Sequence, residues 1–90
     1  MRTFLIDYDL NAPGKDYTKL IDHIKSYGNW CHYLKSGWLI RTQSTAAALR
    51  DAAVSCVDPN DDLMVVDVTA DVAAWDGLSQ EITNWIGSTL

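Results

Sequence analysis

The chain is poor in positive charge. Seven lysines and arginines stand against twelve aspartates and glutamates, a formal charge of −5. Phosphate binding usually shows as a basic patch, so a protein that grips nucleic acid mainly by charge is disfavoured. Cysteine is scarce too. Cys31 and Cys56 lie far apart, with no CxxC pair and no zinc-type spacing, so they read as buried thiols of a cytosolic protein. No apolar run is long enough to cross a bilayer, and Met1-Arg2 leads into a strand, not a signal sequence. A G-x-S-x-G nucleophile motif is missing. The adjacent pair Cys31-His32 cannot act as a dyad on a regular strand, where neighbours point to opposite faces. Nor is there an internal repeat, a linker or a low-complexity segment. Residues 1–90 are expected to form one domain, near the small end of what folds unaided.

What the chain has is apolar and aromatic surface. Hydrophobic residues make up 48%, including four Trp and four Tyr, enough for a core and for a partner-facing patch. A homodimer is the simplest such partner. The first strand, Thr3-Phe4-Leu5-Ile6-Asp7-Tyr8-Asp9, begins almost at the N-terminus and closes on two acids spaced two apart. Side chains alternate along a strand, so Asp7 and Asp9 share a face. Two carboxylates side by side repel, and need solvent, a cation or a basic partner. The end of this strand is therefore the first place to look for function, although strand ends are often polar simply because they are wet.

The rest of the chain reads in order. Pro13-Gly14 marks a turn. Tyr17, Leu20, Ile21, Ile24 and Tyr27 recur at helical spacing, with Gly28 as the stop. Asn29 to Leu34 and Trp38 to Thr42 flank the turn Lys35-Ser36-Gly37 and predict a hairpin. Ser44 or Thr45 caps a second helix with Ala46, Leu49, Ala53 and Val57 inward. Leu63 to Thr69 predicts a fourth strand. Leu78, Ile82, Trp85 and Ile86 predict a last helix, with Trp75 pinning it down. The order β-α-β-β-α-β plus one helix is that of an α+β, ferredoxin-like domain with a four-stranded antiparallel sheet. Two helices would cover one face. The last helix or a second subunit would cover the other.

These stretches resemble the short SinR-like proteins within the superfamily of the CRISPR-associated Cas-two proteins and the VapD toxins. The resemblance lies in Tyr8-Asp9-Leu10 closing strand one, the helix Tyr17 to Tyr27 with Gly28 after it, and the hairpin Asn29-Trp30 through Trp38-Leu39-Ile40. It extends to the strand from Leu63 to Thr69 and to Trp75 and Trp85. It implies a ferredoxin-like homodimer whose reference site is the acid closing strand one, here Asp9, where paired acids at the dimer axis can hold a divalent metal. Some members are metal-dependent nucleases and others are non-catalytic subunits. Where nuclease members tend to carry a basic, arginine-rich start to helix one, this chain has Asn11-Ala12-Pro13-Gly14-Lys15-Asp16.

The candidate residues follow. Asp9 is the metal and catalytic candidate, because Mg²⁺ or Mn²⁺ needs only one or two carboxylates and tolerates waters. Asp7 is a weaker ligand, or an interface carboxylate paired with Arg41 or Lys35. His32 is either an acid–base group or a polar residue of a half-exposed hairpin. Trp30, Tyr33 and Trp38 could stack on bases, or form core or dimer interface. Lys15 could touch a phosphate, though without a P-loop frame. Three functions are compatible with this set. The first is a non-catalytic, homodimeric binding or assembly module in a defence or mobile-element setting, associating with protein or nucleic acid. The second is a metal-dependent endoribonuclease using Asp9 from both subunits. The third is an acidic inhibitor of a nucleic-acid-handling protein, presenting Asp58, Asp61, Asp62, Asp67, Asp71 and Asp76.

Overall fold

Alternation along the first strand organises the whole sheet. In the computed structural model, which describes residues 1–11 and 17–89, β1 (Arg2–Asp9) buries Phe4, Ile6 and Tyr8 on one face and exposes Asp7 and Asp9 on the other. Six elements follow: α1 (Thr18–Lys25), β2 (Trp30–Leu34), β3 (Gly37–Thr42), α2 (Ala46–Val54), β4 (Asp62–Asp67) and α3 (Gln80–Thr89). The four strands form one antiparallel sheet in the order β2-β3-β1-β4. The described residues make a small α+β fold with three helices. The turn at Pro13-Gly14, with Lys15, lies outside the described residues.

α1 and α2 pack on the same face of the sheet. Leu20 and Ile24 from α1, and Leu49 and Ala53 from α2, meet Phe4, Ile6, Tyr8, Trp38 and Ile40 in the larger core. α1 ends where Gly28 takes a φ of +86°, a left-handed conformation that glycine adopts without steric cost. α2 starts at Thr45, whose hydroxyl accepts the Ala48 N–H at 3.2 Å, a serviceable N-cap. Trp38 is fully buried and donates its Nε1–H to the Tyr8 hydroxyl at 2.9 Å. That bond settles the polar ends of two core aromatics at once.

α3 lies on the opposite face. Ile86 packs with Cys31 and Leu39, and Leu5, Tyr33, Val68, Leu78, Ile82 and Trp85 close around them. Of the two coverings expected for this face, the C-terminal helix supplies one, but only over part of the sheet. Ser79 caps α3 by accepting the Ile82 N–H at 3.2 Å. Trp75 donates to the Thr83 hydroxyl at 3.1 Å, and Trp85 to Asn29 Oδ1 at 3.0 Å. The two tryptophans thus tie the helix to its preceding loop and to the start of β2. Both cysteines are free thiols. Burial, and secondarily the charge of Glu81, pushes the Cys31 thiol up, which keeps it protonated and poorly reactive. No helix among the described residues is long and apolar enough to cross a membrane.

The end of β4 is fixed by a carboxylate. Asp67 accepts from the Arg2 guanidinium, from Thr69 Oγ1 at 2.7 Å and from the Thr69 backbone N–H at 3.1 Å. The Arg2 bond, followed by those from Thr69, lowers its carboxyl from the ordinary 3.8 to about 2. A group whose folded pKa is depressed stabilises the fold above its unfolded value and loses that contribution as pH falls through the folded one. Thermal melts of the wild type should therefore fall between pH 3.8 and about 2 by more than those of Asp67→Asn. Equal slopes for the two proteins in that window would show that the network contributes nothing.

Candidate functional site

The acids of β1 stand in a shallow groove at the end of the sheet. In the register, Asp7 lies between Gly37 of β3 and Met64 of β4, and Asp9 lies opposite Asp62. Asp7, Asp9 and Asp62 line a groove of about 280 Å³ together with Ser36 and Met64. All three acids are exposed. The pairing of Asp7 and Asp9 on one face holds, and β4 adds a third carboxylate from just before the strand expected at Leu63. The strand starts one residue earlier than its apolar run, and that residue is Asp62.

Two neighbours shape the groove. Asn11 bridges β1 to the loop before β4: its backbone N–H donates to Asp61 Oδ1 at 2.6 Å and its Nδ2 to the Asn60 carbonyl at 3.0 Å. Tyr33 packs its ring over Gly37, where an added Cβ would sit 3.0 Å from the ring. A side chain there would press the ring outward by a few tenths of an ångström. Burial, and then the nearby charge of Asp7, raises the Tyr33 hydroxyl pKa. Tyr33 occupies the irregular step of β2, where the register shifts between His32 and Leu34; such a bulge redirects a side chain.

The other candidate residues lie elsewhere. Arg41 is opposite Thr3, four residues along β3 from the position facing Asp7. The antiparallel register carries it to the far end of β1, so it is no partner for the strand-one acids. Between described residues the ion pairs are Arg2–Asp67 and Arg50–Asp51. Trp38 has no surface to offer, being fully buried; its expected place at an interface gives way to one in the core. His32 is exposed and stacks on Trp38, ring centroids 3.8 Å apart, with Nε2 3.1 Å from the Lys35 carbonyl. Its side chain lies on the Trp38 face, opposite to that of Asp7 and Asp9, so it cannot act with them on one substrate. Trp30 is 37% exposed, tilted against Trp38 at 5.4 Å, with the Lys25 ammonium 5.1 Å from its ring centroid. It keeps some surface for a partner.

The acidic loop before β4 serves the fold. Asp58 accepts the Asn60 N–H at 3.1 Å, and Asp61 accepts the Asp58 N–H at 2.8 Å and the Tyr17 hydroxyl at 2.8 Å. The two backbone bonds build the turn, and the Tyr17 bond ties it to the residue before α1. Among the described residues, no group of three or more His, Cys, Asp or Glu side chains is arranged to hold a metal ion. The groove can hold a cation through one or two carboxylates, with water completing the shell. Ser36 brings a hydroxyl to it, but no described histidine lines it to act as a base. No family model and no curated protein matches this chain.

Proposed function

We propose that the protein is a ferredoxin-like homodimer that acts as a non-catalytic binding or assembly module, of the kind the SinR-like and Cas-two resemblance implies, in a defence or mobile-element setting. The observation that carries this reading is the uncovered part of the sheet beyond α3. There Met64 is 56% and Val66 36% exposed, beside the three acids of the groove. Exposed apolar residues next to charge suit a protein partner. The strand order β2-β3-β1-β4, with α1 and α2 on one face, supports the ferredoxin-like description. Two free thiols suit a reducing, cytosolic compartment.

The endoribonuclease is the second reading, favoured by the exposure of Asp9 at the strand end. A Mg²⁺ or Mn²⁺ ion shared by Asp9 of two copies would polarise a phosphodiester. The inhibitor reading is weaker, because Asp58 and Asp61 are engaged in building their own turn.

Light scattering on the eluting protein, in EDTA and then in Mg²⁺ or Mn²⁺, tests this for wild type and Asp9→Ala. The assembly reading expects a dimer in both, unchanged by metal. A dimer tightened by metal only in the wild type transfers the assignment to the nuclease. A monomer at micromolar concentration overturns both.

A further inference from the structure

The two edges of the sheet are unequal. β2 is interrupted by the bulge at Tyr33, and its edge borders a groove walled by Glu81, Ile82 and Trp85. β4 is regular, and its central residues Leu63-Met64-Val65-Val66 are all apolar. Natural edge strands are usually blunted by lysine, proline, a bulge or a covering element. Leu63 to Val66 contain none of the first three, and the charges of β4 stand only at its two ends, Asp62 and Asp67.

The hydrogen-bond phase of β4 is fixed. Val68 N–H donates to the Thr3 carbonyl at 2.9 Å. Bonded pairs alternate along an antiparallel ladder, so Asp62, Met64 and Val66 face β1. The bond from Tyr8 N–H to the Ser36 carbonyl at 3.1 Å gives β1 the same phase from its other side. Leu63, Val65 and Asp67 therefore point their N–H and C=O groups away from β1, toward an edge that no described strand pairs.

We infer that two copies of this chain join edge to edge along β4, antiparallel and centred on Val65, extending each four-stranded sheet into one of eight. This rests on the homodimer reading but moves the dimer axis from the paired acids that the resemblance implies to the β4 edge. In that register Val65 faces Val65, and Leu63 faces Asp67 of the second copy. All three outward residues of each strand then find bonding partners. Charge selects the same alignment. Arg50, paired with Asp51 in its own copy, lines a groove beside Leu63 and Val65, so each Asp67, itself held by Arg2, brings its charge to the Arg50 side of the other copy. Sliding the centre to Met64 would set Asp67 against Asp61, a like-charge pair that disfavours it.

The joint has a consequence for the groove. Asp9 lies opposite Asp62, three residues from the centre and one strand in from the edge. With strands about 4.8 Å apart and about 3.3 Å per residue, the two copies of Asp9 stand roughly 25 Å apart. They cannot share one metal ion. The acids become two separate grooves on one extended sheet.

Hydrogen exchange on the wild type, at concentrations above and below dimer dissociation, reads the joint directly. Slowed exchange on assembly at the alternate amides of Leu63, Val65 and Asp67 is the expected result. Val65→Pro removes one outward N–H that β1 does not use, a place where an edge strand tolerates proline. It should weaken the dimer about tenfold or more while circular dichroism stays native. A dimer whose β4 amides exchange equally in both states overturns the edge joint and leaves the homodimer reading intact. A monomer at every concentration overturns both. Should Val65→Pro fail to fold, the wild-type exchange pattern decides alone.

Discussion

Truncating Trp38 to alanine is expected to destabilise the protein by about 3–5 kcal/mol, the range for removing a large aromatic from a core. Trp38 is fully buried at the centre of the larger core. Its loss removes contacts to both helices' side of the sheet, uncovers the lower face of the His32 ring, and leaves the Tyr8 hydroxyl without its donor. A domain of this length has roughly 5–13 kcal/mol of total stability, so the variant should sit near the folding limit. Urea denaturation measures it: the midpoint should fall sharply with the slope unchanged. Tyr8→Phe separates the two contributions. It keeps the ring but strands the indole N–H, which costs about 1–3 kcal/mol when buried. If Trp38→Ala costs less than about 1.5 kcal/mol, the core has collapsed into the space or was never packed there. The same argument disqualifies charged substitutions at Trp38 as probes of dimerisation. They would unfold the monomer first.

Trp38 also shows where sequence reading runs out. In β1 the pattern is unambiguous, because Phe4, Ile6 and Tyr8 alternate with Asp7 and Asp9, and only one set can be buried. In α1 the three- and four-residue spacing of Leu20, Ile24 and Tyr27 chose the helix and its inward face, and Gly28 chose its end. The hairpin gives no such contrast. Trp30, Cys31, Tyr33, Trp38, Leu39 and Ile40 are apolar on both faces, since helices cover both sides of β3. Alternation then says that a strand exists but not which residues meet a partner. The bulge at Tyr33 is invisible for the same reason, and it leaves Tyr33 over Gly37 beside the acids.

The candidate site was half legible. Asp7 and Asp9 follow from a period of two, which needs no tertiary information. Asp62 follows only from register: it is the residue opposite Asp9, and register depends on how two distant segments align. Arg41 failed on that account. Being on the neighbouring strand placed it within reach in principle, but the antiparallel alignment put Thr3, not Asp7, across from it.

The second large effect concerns α3, whose one fully buried residue is Ile86. Ile86→Ala should cost about 2–4 kcal/mol, and the loss should be local. The two hydrophobic clusters share the sheet but no side chain: Phe4, Ile6, Tyr8, Trp38 and Ile40 form one, Cys31, Leu39 and Ile86 the other. Weakening the α3 side leaves the α1 and α2 side packed, so the helix is expected to open as a unit below the global unfolding free energy. Cys31 reports it. The thiol is buried against Leu39 and Ile86 and becomes accessible when α3 leaves. With about 1.4 kcal/mol per tenfold change in an equilibrium, labelling of Cys31 by a thiol reagent should accelerate about a hundredfold in Ile86→Ala. A Cys56→Ser background removes the other thiol from the readout. Labelling that accelerates only in step with global unfolding would join α3 to the main core and make the fold a single cooperative unit. Independent opening would mean that the sheet face beyond Met64 and Val66 can extend to Leu5 and Leu39 when the helix lifts. A partner could then bind more of that face than the closed molecule exposes.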